Sequence, residues 1–243
     1  MRRGGANGVS GGQRVTIDTT TDRLRANCYK WLAVCFYPPD RAILMEERLL
    51  GHLSDALATV CPEAQASAEE MAKAIRQIGD EELAVDHARL FLGPFGLKAG
   101  PYGSLYLDGE GTVMGDSTMR VLQIYEQEGL EIDGEFAELP DHVAAELEFM
   151  YYLISRAVEE FGSGELDCCA HSVATQETFL AEFLLPWLHP FCNRIVDGAE
   201  TVFYRALADG LLAFACRDKA YLEALKSGPS HEPERQRTEG LVA

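Results

Sequence analysis

An apolar repeat in the second half of the chain constrains the fold more than any other feature. The repeating residues stand at intervals of 4, 3, 4, 4 and 3: Val143, Leu147, Met150, Ile154, Val158 and Phe161. This spacing places them on one face of a helix of about five turns. Pro140 fits the first turn, and Gly162 is expected to end the helix. No segment alternates with a period of two for long enough to form a sheet, so we predict an all-α fold.

Capping residues and prolines divide the rest of the chain into further helices. In the first half, we predict helices from Thr21 or Asp22 to about Phe36, from Asp40 to about Val60, from Ser67 (a capping box with Glu70) and from Asp80. In the second half, we predict helices from Asp116 or Ser117 to near Gly129, over residues 166–190 with a kink at Pro186, and over residues 198–226.

One long irregular segment interrupts this pattern. Residues 93–104 read GPFGLKAGPYGS, and the following LYLDGEGTVMG continues without a helical repeat. A run this rich in glycine and proline cannot continue a helix. We therefore predict a helical bundle with a hinge or loop at 93–115. The bundle forms a single all-helical domain over residues 21–226, between a disordered tail (1–20) and a loose C-terminal tail (227–243).

Charge and cysteine content restrict the environment and the partners. The net charge of −18 excludes nucleic-acid binding, disfavours anionic membranes and attracts cationic partners. No apolar run is long enough to span a bilayer, so stable membrane insertion is not expected. Arg2-Arg3 is not followed by an apolar segment, so it is not an export signal. Seven cysteines without a CxxC pair indicate buried thiols in a reducing compartment, which predicts a cytoplasmic protein.

The stretch ELPDHVAAELEFM (138–150) concentrates carboxylates around an imidazole. His142 and Glu146 are four residues apart and share a helix face, so a metal-assisted hydrolase that uses them with His87 stays an alternative. No histidine has an acidic residue three positions before it, and HExxH is absent. Asp141 can be explained as a helix cap, which does not explain Glu138 or His142. We predict no catalytic residue, no metal and no cofactor.

Four short stretches in order carry a resemblance to a known family. LFLGPF, PYGSLYLD, GDSTMRVLQIYEQEGL and ELPDHVAAELEFM, between about Leu90 and Leu153, resemble the TorD/DmsD/NarJ family of redox-enzyme maturation chaperones. The family pattern Glu-Pro-x-Asp-His matches except that Leu139 stands where the proline is usual. In a second family pattern, His87 replaces the expected aromatic residue.

The resemblance implies a cytoplasmic, all-helical chaperone that is not an enzyme. Such chaperones bind the twin-arginine signal, and other parts, of a molybdoenzyme catalytic subunit precursor until its cofactor is inserted. The implied client-binding residues are Phe95, Leu97, Pro101, Tyr102, Ser104, Tyr106, Glu138, Pro140, Asp141 and His142. A permanent assembly subunit of a redox complex stays a further alternative, and the protein is expected to be a monomer or a domain-exchanged dimer.

The implied site has an apolar part and a charged part. We expect Phe95, Leu97, Tyr102 and Tyr106 to line an apolar groove, while Glu138, Asp141 and His142 read the cationic end of the signal. His142 is also expected to tune release between pH 6 and 7, because the unperturbed pKa of histidine is about 6.5.

Overall fold

The computed structural model describes residues 15–46, 48–93, 97–109, 111, 113–130 and 138–226. Within these ranges it contains helices and one isolated β-bridge but no strand, which confirms the all-α prediction. The α-helices are α1 (Thr19–Val34), α2 (Arg41–Glu46), α3 (Leu49–Val60), α4 (Pro62–Gln77), α5 (Asp80–His87), α6 (Ser104–Leu107), α7 (Asp116–Gln127), α8 (Val143–Ser163), α9 (Leu166–Phe179), α10 (Leu185–Gly198) and α11 (Val202–Lys226). Two π-helical turns, Ala88–Leu92 and Leu180–Leu184, follow α5 and α9.

The predicted apolar repeat forms α8, which packs against α1 and α9. α1 packs against α8 and α3, α4 packs against α3 and α11, and α9 packs against α8. Leu147, Met150 and Ile154 are fully buried, and both Val143 and Val158 are at most 3% exposed. Burial of this face stabilises the helix, because the hydrophobic effect contributes about 25 cal/mol per Å² of apolar surface.

The boundaries of the first helices differ from the prediction. α1 starts two residues early, because Asp18 caps it and its Oδ1 accepts a hydrogen bond from Thr20 N at 3.0 Å. The single helix predicted to end at Val60 is divided into α2 and α3, and Arg48 between them has a left-handed backbone with φ of 51°. Ser67 lies inside α4, because Pro62 already occupies the first turn of that helix.

The boundaries of the later helices also differ from the prediction. α8 ends at Gly164, whose φ of 79° suits glycine, and not at Gly162. The predicted break near residue 190 does not occur: α10 runs on to Gly198 with Pro190 inside it. The π-helical turn at Leu180–Leu184 comes just before Pro186. Because a wider turn accommodates the backbone group that a proline leaves unpaired, the irregularity predicted at Pro186 takes this form.

A buried network of charged side chains joins the first described helix to the last. Arg25 of α1 is 2% exposed and forms ion pairs with Asp22 and with Asp218 of α11. Tyr29 donates a hydrogen bond to Asp218 at 2.8 Å, and Tyr221 donates one to Asp22 at 3.1 Å. The first and last described helices are thus joined by groups that compensate each other's charge.

The segment before α7 is less irregular than predicted. It contains α6, and Asp108 beyond that helix accepts hydrogen bonds from the backbone N and the hydroxyl of Ser117 at 2.9 and 2.6 Å. No helix in the described part of the chain is both long and apolar enough to cross a bilayer. Most of the predicted N-terminal tail (residues 1–14), all of the predicted C-terminal tail, and Phe95 lie outside the described residues.

Candidate functional site

The irregular segment folds back onto the start of α8 through three hydrogen bonds. Val143 N donates to the carbonyl of Pro101 at 2.8 Å, and Gly103 N donates to the carbonyl of Asp141 at 2.9 Å. Ser104 N donates to Asp141 Oδ2 at 2.8 Å. Tyr102 is thereby paired with His142 in an antiparallel bridge. Two of the four sequence stretches that carry the resemblance, PYGSLYLD and ELPDHVAAELEFM, therefore meet at one place.

Asp141 holds this junction from inside the protein. Its side chain is 1% exposed, and it accepts its hydrogen bond from the irregular segment rather than from a backbone N–H of α8. Its second oxygen, Oδ1, has no hydrogen-bond partner among the described residues. The alternative explanation of Asp141 as the cap of α8 is therefore excluded, and its burial does not fit the prediction that it contacts the cationic end of a signal directly.

His142 is the cap of α8. Its Nδ1 accepts a hydrogen bond from Ala144 N at 3.2 Å, which requires the proton of the neutral ring to be on Nε2. The ring lies between Tyr37, nearly parallel at 6.3 Å between centroids, and Tyr102, at 5.3 Å and an edge-on angle. Burial lowers the pKa of His142 to about 4, despite the opposing effect of Glu138 and Asp141. His142 therefore stays neutral between pH 6 and 7, and the predicted release switch in that range is wrong.

Glu138 and Tyr102 form the accessible edge of the junction. The hydroxyl of Tyr102 donates to Glu138 Oε2 at 2.7 Å, and both side chains are partly exposed. Burial, followed by the adjacent Glu138, raises the pKa of Tyr102, so its hydroxyl remains a donor at neutral pH. The structure brings together Tyr102, Glu138 and His142, as the resemblance implied.

The described apolar residues of the predicted site contact different neighbours. Tyr106 stacks on Trp187 of α10 at 5.7 Å, donates to the carbonyl of Gly100 at 3.0 Å, and is covered by Arg194. Leu97 is 36% exposed and contacts the same turn at Gly100. Tyr106 therefore faces α10 rather than His142, which separates it from Tyr102.

Three further residues of the predicted site are buried inside the junction. Pro101 and Pro140 are buried, and the Pro140 carbonyl accepts a hydrogen bond from Tyr125 at 3.0 Å. Ser104 is fully buried, and its hydroxyl has no partner among the described residues. These three residues therefore shape the junction without forming its accessible surface.

Two residues at the junction were missed by the sequence reasoning. The hydroxyl of Tyr37, just after α1, donates to Glu148 Oε1 on α8 at 3.0 Å. Burial of the carboxyl group raises the pKa of Glu148 although the side chain reaches solvent, and the hydrogen bond from Tyr37 opposes this shift. No motif identifies this pair, because its members are 111 residues apart.

The geometry does not favour the metal-assisted hydrolase. Nδ1 of His142 is used by the helix cap, and Glu146 is 1% exposed and accepts a hydrogen bond from Trp187 Nε1 at 3.1 Å. Burial raises the pKa of Glu146 well above its usual value, which disfavours the ionised form that a metal ligand requires. His87 lies 3.2 Å from the carbonyl of Phe36 through Nε2. In the part of the chain that the structure describes, no three His, Cys, Asp or Glu side chains could share a metal ion.

Comparison with known proteins gives a consistent result. Residues 55–193 match the family model described as nitrate reductase delta subunit. The chaperone protein TorD of Vibrio vulnificus is 33% identical over 150 residues, which cover 60% of this chain and 67% of that protein. TorD of Vibrio cholerae is 28% identical over 212 residues, which cover 83% of this chain and 93% of that protein.

One solved structure is similar in outline. It is described as a candidate redox enzyme maturation protein from Archaeoglobus fulgidus. It is 23% identical, has a TM-score of 0.48, and is matched over 82% of this chain and 93% of its own.

Proposed function

The chain belongs to the nitrate reductase delta subunit family, as its resemblance to the TorD/DmsD/NarJ chaperones predicted, and we propose that it is a system-specific chaperone for a molybdoenzyme. The curated relatives are named chaperones and not enzymes, which agrees with the predicted function class. The client is the precursor of a molybdenum-cofactor oxidoreductase subunit, held in the cytoplasm until its cofactor is inserted and its export can begin.

We propose further that the junction of the irregular segment with α8 binds the twin-arginine signal of this client. The observation that carries this proposal is the Tyr102–Glu138 hydrogen bond beside His142, which holds a carboxylate at the accessible edge of the junction. Arginine presents a planar fork of donors that matches a carboxylate. Asp141 acts indirectly, because it fixes the segment that carries Tyr102.

Magnitudes assign separate roles to charge and to apolar contact. A charge-assisted hydrogen bond contributes about 1.5–3 kcal/mol net. Burying ~500 Å² of the apolar part of a signal gains roughly 12 kcal/mol before the cost of ordering the peptide. A micromolar complex needs only about −8 kcal/mol. Apolar contact therefore supplies most of the affinity, and the carboxylate supplies selectivity for arginine.

Titration with signal peptides tests this site. A peptide with an arginine pair and a matched lysine-pair peptide are titrated into the full chain at low and high salt. We expect the arginine pair to bind more tightly and both affinities to fall with salt, because exposed charges are screened. Equal, salt-independent binding of both peptides would contradict the assignment.

Glu138→Gln is the direct variant, and Glu159→Gln is its matched control. Glu159 is an exposed carboxylate near the other end of α8, so its replacement changes the net charge equally without touching the junction. We expect only Glu138→Gln to reduce the preference for arginine. Light scattering of the free protein and of the complex distinguishes a monomer from a domain-exchanged dimer.

A further inference from the structure

Glu148 is connected to Glu138 through a series of contacts that includes the ring of His142. It lies six residues after His142, which corresponds to about 9 Å along α8. It is exposed although Leu147 and Phe149 on either side are buried. The hydroxyl of Tyr37 holds Glu148 Oε1, as the hydroxyl of Tyr102 holds Glu138 Oε2.

Neither of these carboxylates has a cationic partner in the described ranges. Three buried acids of the bundle do: Asp22 and Asp218 pair with Arg25, and Asp86 pairs with Arg89. Glu138 and Glu148 receive only a neutral hydroxyl, which leaves the second oxygen of each carboxylate without a hydrogen bond to the described residues. Glu138 is partly buried, and a carboxylate that is partly removed from water is unfavourable when it lacks a positive partner.

Two further features of the junction favour a guanidinium as that partner. Asp141, next to His142 in the chain, is 1% exposed and its Oδ1 has no partner among the described residues, so it adds negative potential that no described cation neutralises. The ring of His142 contacts the rings of Tyr102 and Tyr37, whose hydroxyls hold the two carboxylates. Aromatic faces stack on guanidinium groups more readily than on ammonium groups.

We infer that Glu148 is the second arginine-binding carboxylate of the site, so that Glu138 and Glu148 each bind one guanidinium of the client's arginine pair. This inference rests on the proposed function and goes beyond it, since it assigns one subsite to each arginine. Tyr37 is a positioning residue for this carboxylate, because its hydroxyl orients Glu148.

A double-mutant cycle between protein and peptide tests the assignment. Glu138→Gln, Glu148→Gln and the control Glu159→Gln are titrated with the arginine-pair peptide and with two peptides in which one or the other arginine is glutamine. We expect each junction variant to weaken binding of the arginine pair by about fivefold. Glu148→Gln should bind one of the two single-arginine peptides as tightly as the unmodified chain does. Glu138→Gln should do so with the other single-arginine peptide.

Tyr37→Phe provides a second variant that keeps the carboxylate. It should weaken binding by less than Glu148→Gln, because the charge remains and only its orientation is lost. Thermal unfolding of all variants confirms that they are folded. Glu148 is replaced at an exposed position, so its removal should not disturb the bundle.

The outcomes separate the inference from the proposed function. If Glu138→Gln weakens binding while Glu148→Gln binds like the unmodified chain, the second subsite is excluded and the signal-binding proposal stands. An equal loss in Glu148→Gln against all three peptides would also overturn the inference, because it would indicate a general charge effect. If the unmodified chain binds none of the peptides, the signal-binding proposal itself fails.

Discussion

His142 occupies a helix position that usually takes a short polar side chain. Serine, threonine, aspartate and asparagine are the preferred caps, because their oxygens reach the first free backbone N–H groups. Here Nδ1 of the imidazole accepts from Ala144 N, while the ring fills the space between Tyr37 and Tyr102. One side chain therefore caps α8 and packs the junction, and the cap requires the neutral form, in which Nδ1 can accept a hydrogen bond.

Because the cap of α8 requires neutral His142, we expect the fold to be less stable in acid. The pKa of His142 is lowered from 6.5 to about 4, so its contribution to stability is fully present above pH 6.5 and is lost as the pH falls to about 4. A shift of this size corresponds to about 3 kcal/mol. We expect the free energy of unfolding, measured with urea, to decrease over this range.

His142→Asn separates this effect from that of other acids. The asparagine oxygen can still accept from Ala144 N, but the side chain does not titrate. The variant should be less stable overall, because the ring contacts are lost, and its stability should depend less on pH between 6.5 and 4. The same slope in the variant and the unmodified chain would show that His142 is not the titrating group.

Glu146 should have the opposite pH dependence. Its pKa is raised well above 4.5 by burial, so its contribution is fully present below pH 4.5 and is lost as the pH rises towards the folded-state pKa. Glu146→Gln keeps an acceptor for Trp187 Nε1 and cannot ionise. We expect its stability relative to the unmodified chain to increase by about 1.4 kcal/mol per pH unit within that window. A pH-independent difference in urea unfolding would contradict this.

At the scale of elements, the start of α8 and the segment 101–107 form one unit. Asp141 supplies the side-chain part of their connection through Ser104 N, and Pro101 and Asp141 supply backbone carbonyls. Hydrogen exchange can measure this connection. We expect Asp141→Ala to speed exchange of the Ser104 amide about tenfold, since the hydrogen bond to a charged group is lost.

Asp141→Asn is the control for this prediction. Its amide oxygen still accepts from Ser104 N, so exchange at this amide should stay close to that of the unmodified chain. Amides in the middle of α11, far from the junction along the chain, provide an internal reference. If Asp141→Ala and Asp141→Asn sped exchange of the Ser104 amide equally, Asp141 would act through its charge and not through this hydrogen bond.

The sequence could predict those elements whose formation depends only on residues close together in the chain. The repeat from Val143 to Phe161 predicted α8, because its spacing depends on the helix alone. The start of that helix and the π-helical turn at Leu180–Leu184 could not be predicted, since each depends on tertiary packing. In the site, motif resemblance identified Tyr102, Glu138 and His142. It could not identify Glu148, because its partner Tyr37 is distant along the chain.

For the whole molecule, positive and negative charges are distributed differently. Arg25 is buried in ion pairs that join α1 to α11, and Arg156 is only partly exposed and pairs with Glu128. Neither guanidinium contributes much positive charge to the surface. The net charge of −18 comes from the excess of 39 acidic over 21 basic residues, and carboxylates such as Glu159 are exposed. Such a surface produces a negative potential that extends beyond the junction.

This potential predicts how binding of the arginine-pair peptide depends on salt. Long-range attraction speeds the encounter, whereas dissociation depends on short-range contacts that salt screens less. Between about 20 and 500 mM salt, we expect the association rate constant to fall about tenfold, with a much smaller change in the dissociation rate constant. Stopped-flow fluorescence with a labelled peptide measures both. A glutamine-pair peptide with no net charge should show little change in association. If salt acted mainly on dissociation, attraction at the two carboxylates would dominate over the field of the whole protein.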